Sequence, residues 1–117
     1  MNSTTEARIE AARARMAELR EKFIDRTQGE LQTLRANFAA LEAGDSAALG
    51  TIVHLAHRMT GTGATLGLAA LSERAQEIEK LGEAQGPGSQ PDAATLARLG
   101  AAIGALAAEL ERTPRAG

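Results

Sequence analysis

Cysteine is absent, which excludes disulfides, thiol catalysis and zinc–thiolate sites. Tryptophan and tyrosine are absent too, and the two phenylalanines are the only aromatics. With β-branched residues also scarce, a β-fold is disfavoured. There is no basic excess: 13 Lys and Arg stand against 15 Asp and Glu, for a net charge of −2. A nucleic-acid binder usually carries a basic surplus and stacking aromatics, so no nucleic-acid partner is expected. The opening stretch MNSTTEARIEAARARMAELR lacks the apolar core of a secretory signal. No apolar run approaches the ~20 residues that span a bilayer. A soluble, cytoplasmic protein without a membrane partner is expected.

Alanine, leucine, glutamate and arginine dominate what is there, a helix-forming composition. The 117 residues suffice for one domain with a single modest core. Apolar residues recur at spacings of three and four, the period of a helix face. One stripe runs Ile9, Ala12, Met16, Leu19, Phe23, and a second runs Ile24, Thr27, Leu31, Leu34, Phe38, Leu41. The phase slips between Phe23 and Ile24, which predicts a break or kink, with Asp25 and Gln28 capping a new helix. Gly44 reads as the residue just past a helix end, and Asp45 or Ser46 as the next cap. A third stripe, Leu49, Ile52, Ala56, Met59, Gly63, Leu66, is unbroken. A fourth runs Leu68, Leu71, Ala75, Ile78 and ends near Gly82. The stretch GEAQGPGSQPDAA reads as a loop. Asp92 then caps a last helix with the stripe Leu96, Leu99, Ile103, Leu106, Leu110, stopped by Pro114.

Each helix has one apolar stripe to cover, and an antiparallel bundle covers them all. The expected fold is all-α: a four-helix bundle with an additional N-terminal helical segment, in a single domain over residues 1–117. The first dozen residues are expected to fray. A monomer is expected, since every stripe can be covered within the bundle; the N-terminal helix is the segment that could pair with a second copy.

Within HLAHRMTGTGATLG lie the chain's two histidines and three glycines in close succession. At 100° per residue the third stripe sets the core direction, and His57 points roughly 130° away from it, with His54 further still. Neither is core filler, although a surface histidine is commonplace. Val53, His54, Thr60 and Gly61 lie one turn from His57, with Gly50 and Ala64 two turns away. Glycine inside a helix costs about 1 kcal/mol relative to alanine. A bare backbone at Gly61 would let another protein approach the imidazole. The competing account is close packing against another helix, and the solvent-side angle of Gly61 argues against it.

His54 and His57 could share a metal, but no carboxylate lies one turn from either on this helix, so other ligands would have to come from elsewhere. No metal site is expected. The G-x-G-x-x-x-G glycines follow a helix rather than a strand, which rejects a dinucleotide loop. A nucleophilic imidazole remains. Histidine as a residue type has an ordinary pKa of ~6.5, and a neutral imidazole has a ring nitrogen free to attack. Phosphoryl transfer asks chiefly for positioning and charge neutralisation.

At these residues the sequence resembles the histidine-containing phosphotransfer (HPt) domain. That family carries a pattern close to A-H-x-L-K-G-x-x-x-x-x-G on the middle of a helix in a four-helix bundle. Here it reads Ala56, His57, Arg58, Met59, Thr60, Gly61, five residues, then Gly67. LAALSERAQEIEKLGE is similar to the family's next helix, with an acidic position near its end. The resemblance covers about residues 17–112. It implies that His57 is a phosphoacceptor passing a phosphoryl group between receiver-domain aspartates. It also implies response-regulator receiver domains and a hybrid sensor histidine kinase as partners, no cofactor of the chain's own, and magnesium supplied by the receiver. No ATP-binding pattern is present, so a phosphocarrier rather than an enzyme is expected.

One departure concerns charge. The family's lysine three residues after the histidine is Thr60 here. A phosphoryl group brings about −1.5 to −2 charge. Thr60 offers a hydroxyl, Arg58 lies roughly 100° around the helix, and His54 is one turn before. His54 is the second candidate acceptor. Gly61, Val53, Ala64 and Gly50 form a small, apolar surface expected to dock the receiver. An adaptor that binds receivers or a kinase without being phosphorylated is the alternative, and a purely structural bundle a third. Gly100 and Gly104, in LGAAIGALAAEL, are expected to permit close packing in a soluble bundle, since Arg98 and Glu109 flank too short an apolar run to span a membrane.

Overall fold

The computed structural model describes residues 3–86 and 88–115. Four helices follow one another: α1 (Ser3–Glu42), α2 (Ala48–Thr65), α3 (Ala69–Glu83) and α4 (Ala93–Arg112). Each packs on its two neighbours around a square, α1 on α2, α2 on α3, α3 on α4 and α4 back on α1. The architecture is a four-helix bundle, as the stripes require.

The connections are short because helix ends are satisfied locally. Past α1, Gly44 takes φ +102°, its N–H donates to the Leu41 carbonyl (3.0 Å), and the Asp45 N–H reaches back to Ala40 (3.0 Å). Past α2, Gly67 does the same at φ +73°, with Leu68 N–H on Gly63 (2.8 Å) and Gly67 N–H on Ala64 (3.1 Å). Both are Schellman closures, which need the left-handed backbone that glycine adopts freely. Thus Gly67, the last residue of the motif, ends the helix that bears His57. The Asp45 carboxylate accepts from Ala47 N–H (3.2 Å) in the turn before α2, and Asp92 accepts from Thr95 N–H (2.8 Å) as the cap of α4.

The core is the predicted one on α2 and α4. Leu49, Ile52, Ala56, Met59 and Leu66 are buried, as are Leu99, Ile103, Leu106 and Leu110. Burying one such side chain stabilises by about 1.5–3 kcal/mol. Two buried hydroxyls are satisfied: Thr27 donates to Phe23 O (2.7 Å) and Ser72 to Thr60 O (2.8 Å).

Three expectations are corrected. There is no break at Phe23–Ile24: α1 runs unbroken for 40 residues, so the N-terminal segment is its first part rather than a separate element. At 1.5 Å per residue such a rod is about 60 Å long, matching the 61 Å long dimension of the molecule. The first stripe ends where the bundle begins. Its residues before Phe23 are exposed apart from half-buried Ile9 and Met16, so the phase slip imposes no bend. Asp25 therefore caps nothing; it pairs with Arg115 (2.7 Å), which also holds Glu21 (2.8 Å). Chain is helical from Ser3, while Met1 and Asn2 lie outside the described residues. Secondly, α4 is long and apolar enough to cross a membrane by length and composition; its apolar stripe instead faces the core. Thirdly, Gly100 does pack closely, under the Phe38 ring, whereas Gly104 faces open space. On the exposed N-terminal face Glu10 pairs with Arg13 (3.7 Å).

Candidate functional site

His57 stands on the outer face of α2, in mid-helix, with 72% of its side chain exposed. The neighbouring stripe residues Ala56 and Met59 are buried, which fixes the rotation of α2 and turns His57 outward. Its Nδ1 lies 2.5 Å from Glu79 Oε2 on α3. A carboxylate only accepts hydrogen bonds, so this contact places the ring proton on Nδ1. The Nε2 lone pair is then the free one. Glu79 itself is only 13% exposed, held where α3 packs on α2. An exposed imidazole is thus held by a half-buried carboxylate.

The bare backbone beside the ring is real. A Cβ added at Gly61 would meet nothing within 4 Å, and the same is true of Gly50. Gly61 and Ala64 are exposed, Val53 half-buried. A groove of about 610 Å³ runs along α2 on one side of His57, lined by Gly50, Val53, His54, His57, Gly82 and Glu83 among others. Its floor depends on Gly82, which sits so close to Val53 that an added Cβ would overlap Val53 Cγ2. Gly63 likewise lets α3 approach, since its Cβ would lie 3.3 Å from Ser72 Cβ. On the other side of His57 is a shallow depression lined by Arg26, Arg58 and Gly61.

The remaining predicted residues fall as follows. His54 is exposed in the larger groove, with no carboxylate partner among the described residues. Thr60 is half-buried, and its hydroxyl donates to Ala56 O (2.8 Å), so its one proton is engaged within α2. Arg58 leans toward Glu30 on α1, at 3.8 Å. Among the described residues no group of three His, Asp or Glu side chains is placed to hold a metal ion.

Glu79 and Arg26 were not singled out in the sequence. The acidic position near the end of the fourth stripe was the available signal for Glu79, but Glu73, Glu77 and Glu83 compete with it on the same helix. Arg26 carried no signal, since it lies in an Arg- and Glu-rich stretch of α1.

A family model, the Hpt domain, matches residues 18–114. The chain belongs to the Hpt domain family. No curated protein and no solved structure matches it. Hpt domains serve phosphotransfer in two-component signalling as phosphocarriers rather than kinases, and interact with receiver domains and histidine kinases. Among the members' features described above, the outward histidine, the bare Gly61 and the helix-ending Gly67 are present in this Hpt chain; lysine at position 60 is not.

Proposed function

We propose that this Hpt chain carries a phosphoryl group on His57 between the aspartates of receiver domains. The observation that carries the reading is the His57–Glu79 contact: one ring nitrogen is held by a carboxylate and the other is left free on an exposed face.

The chemistry follows from that geometry. The Nε2 lone pair attacks phosphorus of a receiver's aspartyl phosphate. The P–N bond forms as the P–O bond to the acyl group breaks, and the aspartate carboxylate leaves with the electron pair. The Nδ1 proton stays on the ring, shared with Glu79, whose negative charge offsets the positive charge gained by the imidazole. In the return step an aspartate oxygen attacks phosphorus, the P–N bond breaks, and the ring regains its lone pair. Little covalent work falls to the protein in such transfers; positioning and charge do the rest. Magnesium belongs to the receiver in this scheme, and a hybrid sensor histidine kinase is the upstream source. The setting is cytoplasmic and the carrier is a monomer.

The receiver docks over Gly61, Ala64, Val53 and Gly50. Small residues there keep the imidazole reachable, and the groove bordered by Val53 and Gly50 offers apolar surface beside it.

The test is label transfer from a phosphorylated receiver domain to the chain and to its His57→Gln and His54→Gln variants. Label that is acid-labile, alkali-stable and lost only with His57→Gln supports the reading. Label retained in His57→Gln overturns it. Receiver binding without any label would identify the chain as an adaptor.

A further inference from the structure

The depression beside His57 contains more positive charge than the sequence pattern suggested. It has a volume of about 500 Å³, and its lining includes Arg26, His57, Arg58 and Gly61. The two guanidiniums come from different helices, Arg26 from α1 and Arg58 from α2. They meet at one carboxylate: Glu30 Oε1 lies 3.0 Å from Arg26 Nε and 3.8 Å from Arg58 Nη2. The side chain of Glu30 is 13% exposed and its other oxygen, Oε2, is buried without a hydrogen-bond partner, whereas the arginines are 48% and 46% exposed. The carboxylate is inside and the guanidiniums face out.

We infer that Arg26 and Arg58 together form the site for the phosphoryl oxygens on His57, in place of a lysine at position 60. This rests on His57 being the acceptor. Each guanidinium has five N–H donors in a planar fork, and Glu30 engages only one nitrogen of each. The rest are free for an oxyanion, and fork geometry suits phosphoryl oxygens in particular. The charge also matches. Two arginines beside one glutamate leave a single net positive charge, which is what one lysine would supply. Thr60 adds none, and its proton is engaged by Ala56 O. Arg58 alone is poorly aimed, being roughly 100° around α2 from His57. Arg26 reaches the same depression from across the helix interface, which is why sequence spacing on α2 could not reveal it.

A small donor separates this site from receiver docking, because it has no docking surface. Phosphoramidate transfers its phosphoryl group to the imidazole as its P–N bond breaks and ammonia leaves. The rate of His57 phosphorylation by phosphoramidate, and the hydrolysis half-life of the product, are measured for the chain and for Arg26→Gln, Arg58→Gln, the double variant, Arg26→Lys and His57→Gln. Loss of charge-assisted hydrogen bonds to a phosphoryl group is expected to slow uptake by about tenfold or more in the double variant. Arg26→Lys keeps most of the rate, and Thr60→Lys added to the double variant restores it. Thermal unfolding reports whether each variant is folded; both side chains are half exposed, and the lysine variants keep the charge if a glutamine variant unfolds. Uptake and half-life unchanged in a folded double variant overturn the arginine site while leaving His57 as the acceptor. Label persisting in His57→Gln overturns the underlying reading instead.

Discussion

His57 and Glu79 are 22 residues apart in sequence and on different helices, yet Nδ1 and Oε2 lie 2.5 Å apart across the α2–α3 seam. The exposed partner is the candidate nucleophile and the half-buried partner is placed to orient it. This arrangement assigns the two ring nitrogens separate roles, and it makes Glu79 as informative a target as His57.

Glu79→Gln keeps the size of the side chain but removes its charge. The neutral amide can either accept from or donate to Nδ1, so it no longer fixes the proton there, and it does not offset the charge formed on phosphorylation. Phosphorylation of His57 is expected to slow by roughly ten- to a hundredfold, the range of a lost hydrogen bond to a charged group. Imidazole nitrogen chemical shifts should show a tautomer mixture where the parent shows one form. Parent-like shifts together with a parent-like rate would remove Glu79 from the mechanism.

At Gly61, stability and transfer should move in opposite directions. Open space surrounds its Cβ position, so Gly61→Ala gains helix propensity, up to about 1 kcal/mol in urea unfolding. Gly61→Gln should fold at least as well as the parent but block the approach of a receiver domain. Receiver-dependent transfer falls more steeply than uptake from phosphoramidate, a donor with no docking surface. Normal receiver transfer by Gly61→Gln would count against the docking face.

Gly82→Ala should behave in the opposite way to Gly61→Ala, although both are helical glycines. Its Cβ would overlap Val53 Cγ2 where α3 meets α2. Valine is branched at Cβ and has little rotamer freedom in a helix. Overpacking of this kind costs typically about 1–3 kcal/mol. Adding Val53→Ala to Gly82→Ala removes the overlapping methyl, so a double-mutant cycle should show positive coupling. Equal stabilities for the parent and Gly82→Ala would contradict the described α2–α3 contact.

Asp92 gives a pH signature. Its carboxylate accepts from Thr95 N–H, which holds its pKa below the ordinary 3.8. The folded value is below the unfolded one, so the cap contributes fully at pH well above 3.8. The contribution is lost as pH falls through the folded value. Asp92→Ala should therefore lower the melting temperature by a few degrees at neutral pH, with the gap narrowing under strongly acidic conditions. Asp92→Asn keeps an acceptor and should hold most of the stability across that range. A gap between parent and Asp92→Ala that does not depend on pH would rule out this capping role.

Periodicity alone placed the core of α2, α3 and α4 and turned His57 outward. It could do so because a helix maps sequence spacing directly onto angle: once Ile52, Ala56 and Met59 face inward, the direction of His57 follows. Gly44 and Asp92 were readable for a similar reason, since helix-end chemistry acts over three or four residues. The family pattern placed the candidate acceptor on the same rod. The phase slip at Phe23–Ile24 marks no break because period implies burial only where a helix has neighbours, and the first turns of α1 extend beyond the bundle and bury little.

What only the tertiary structure decided is which rods touch and at what height. Glu79 became the partner of His57, rather than Glu73, Glu77 or Glu83, because Gly82 and Gly63 let α3 settle close against α2 at that level. Arg26 joined Arg58 beside the same imidazole because α1 passes on the opposite side of α2. The sequence determined the inward and outward faces of each helix; the contacts between helices determined the chemistry around His57, because the angle of a residue on its own axis carries no information about what the neighbouring axis presents to it.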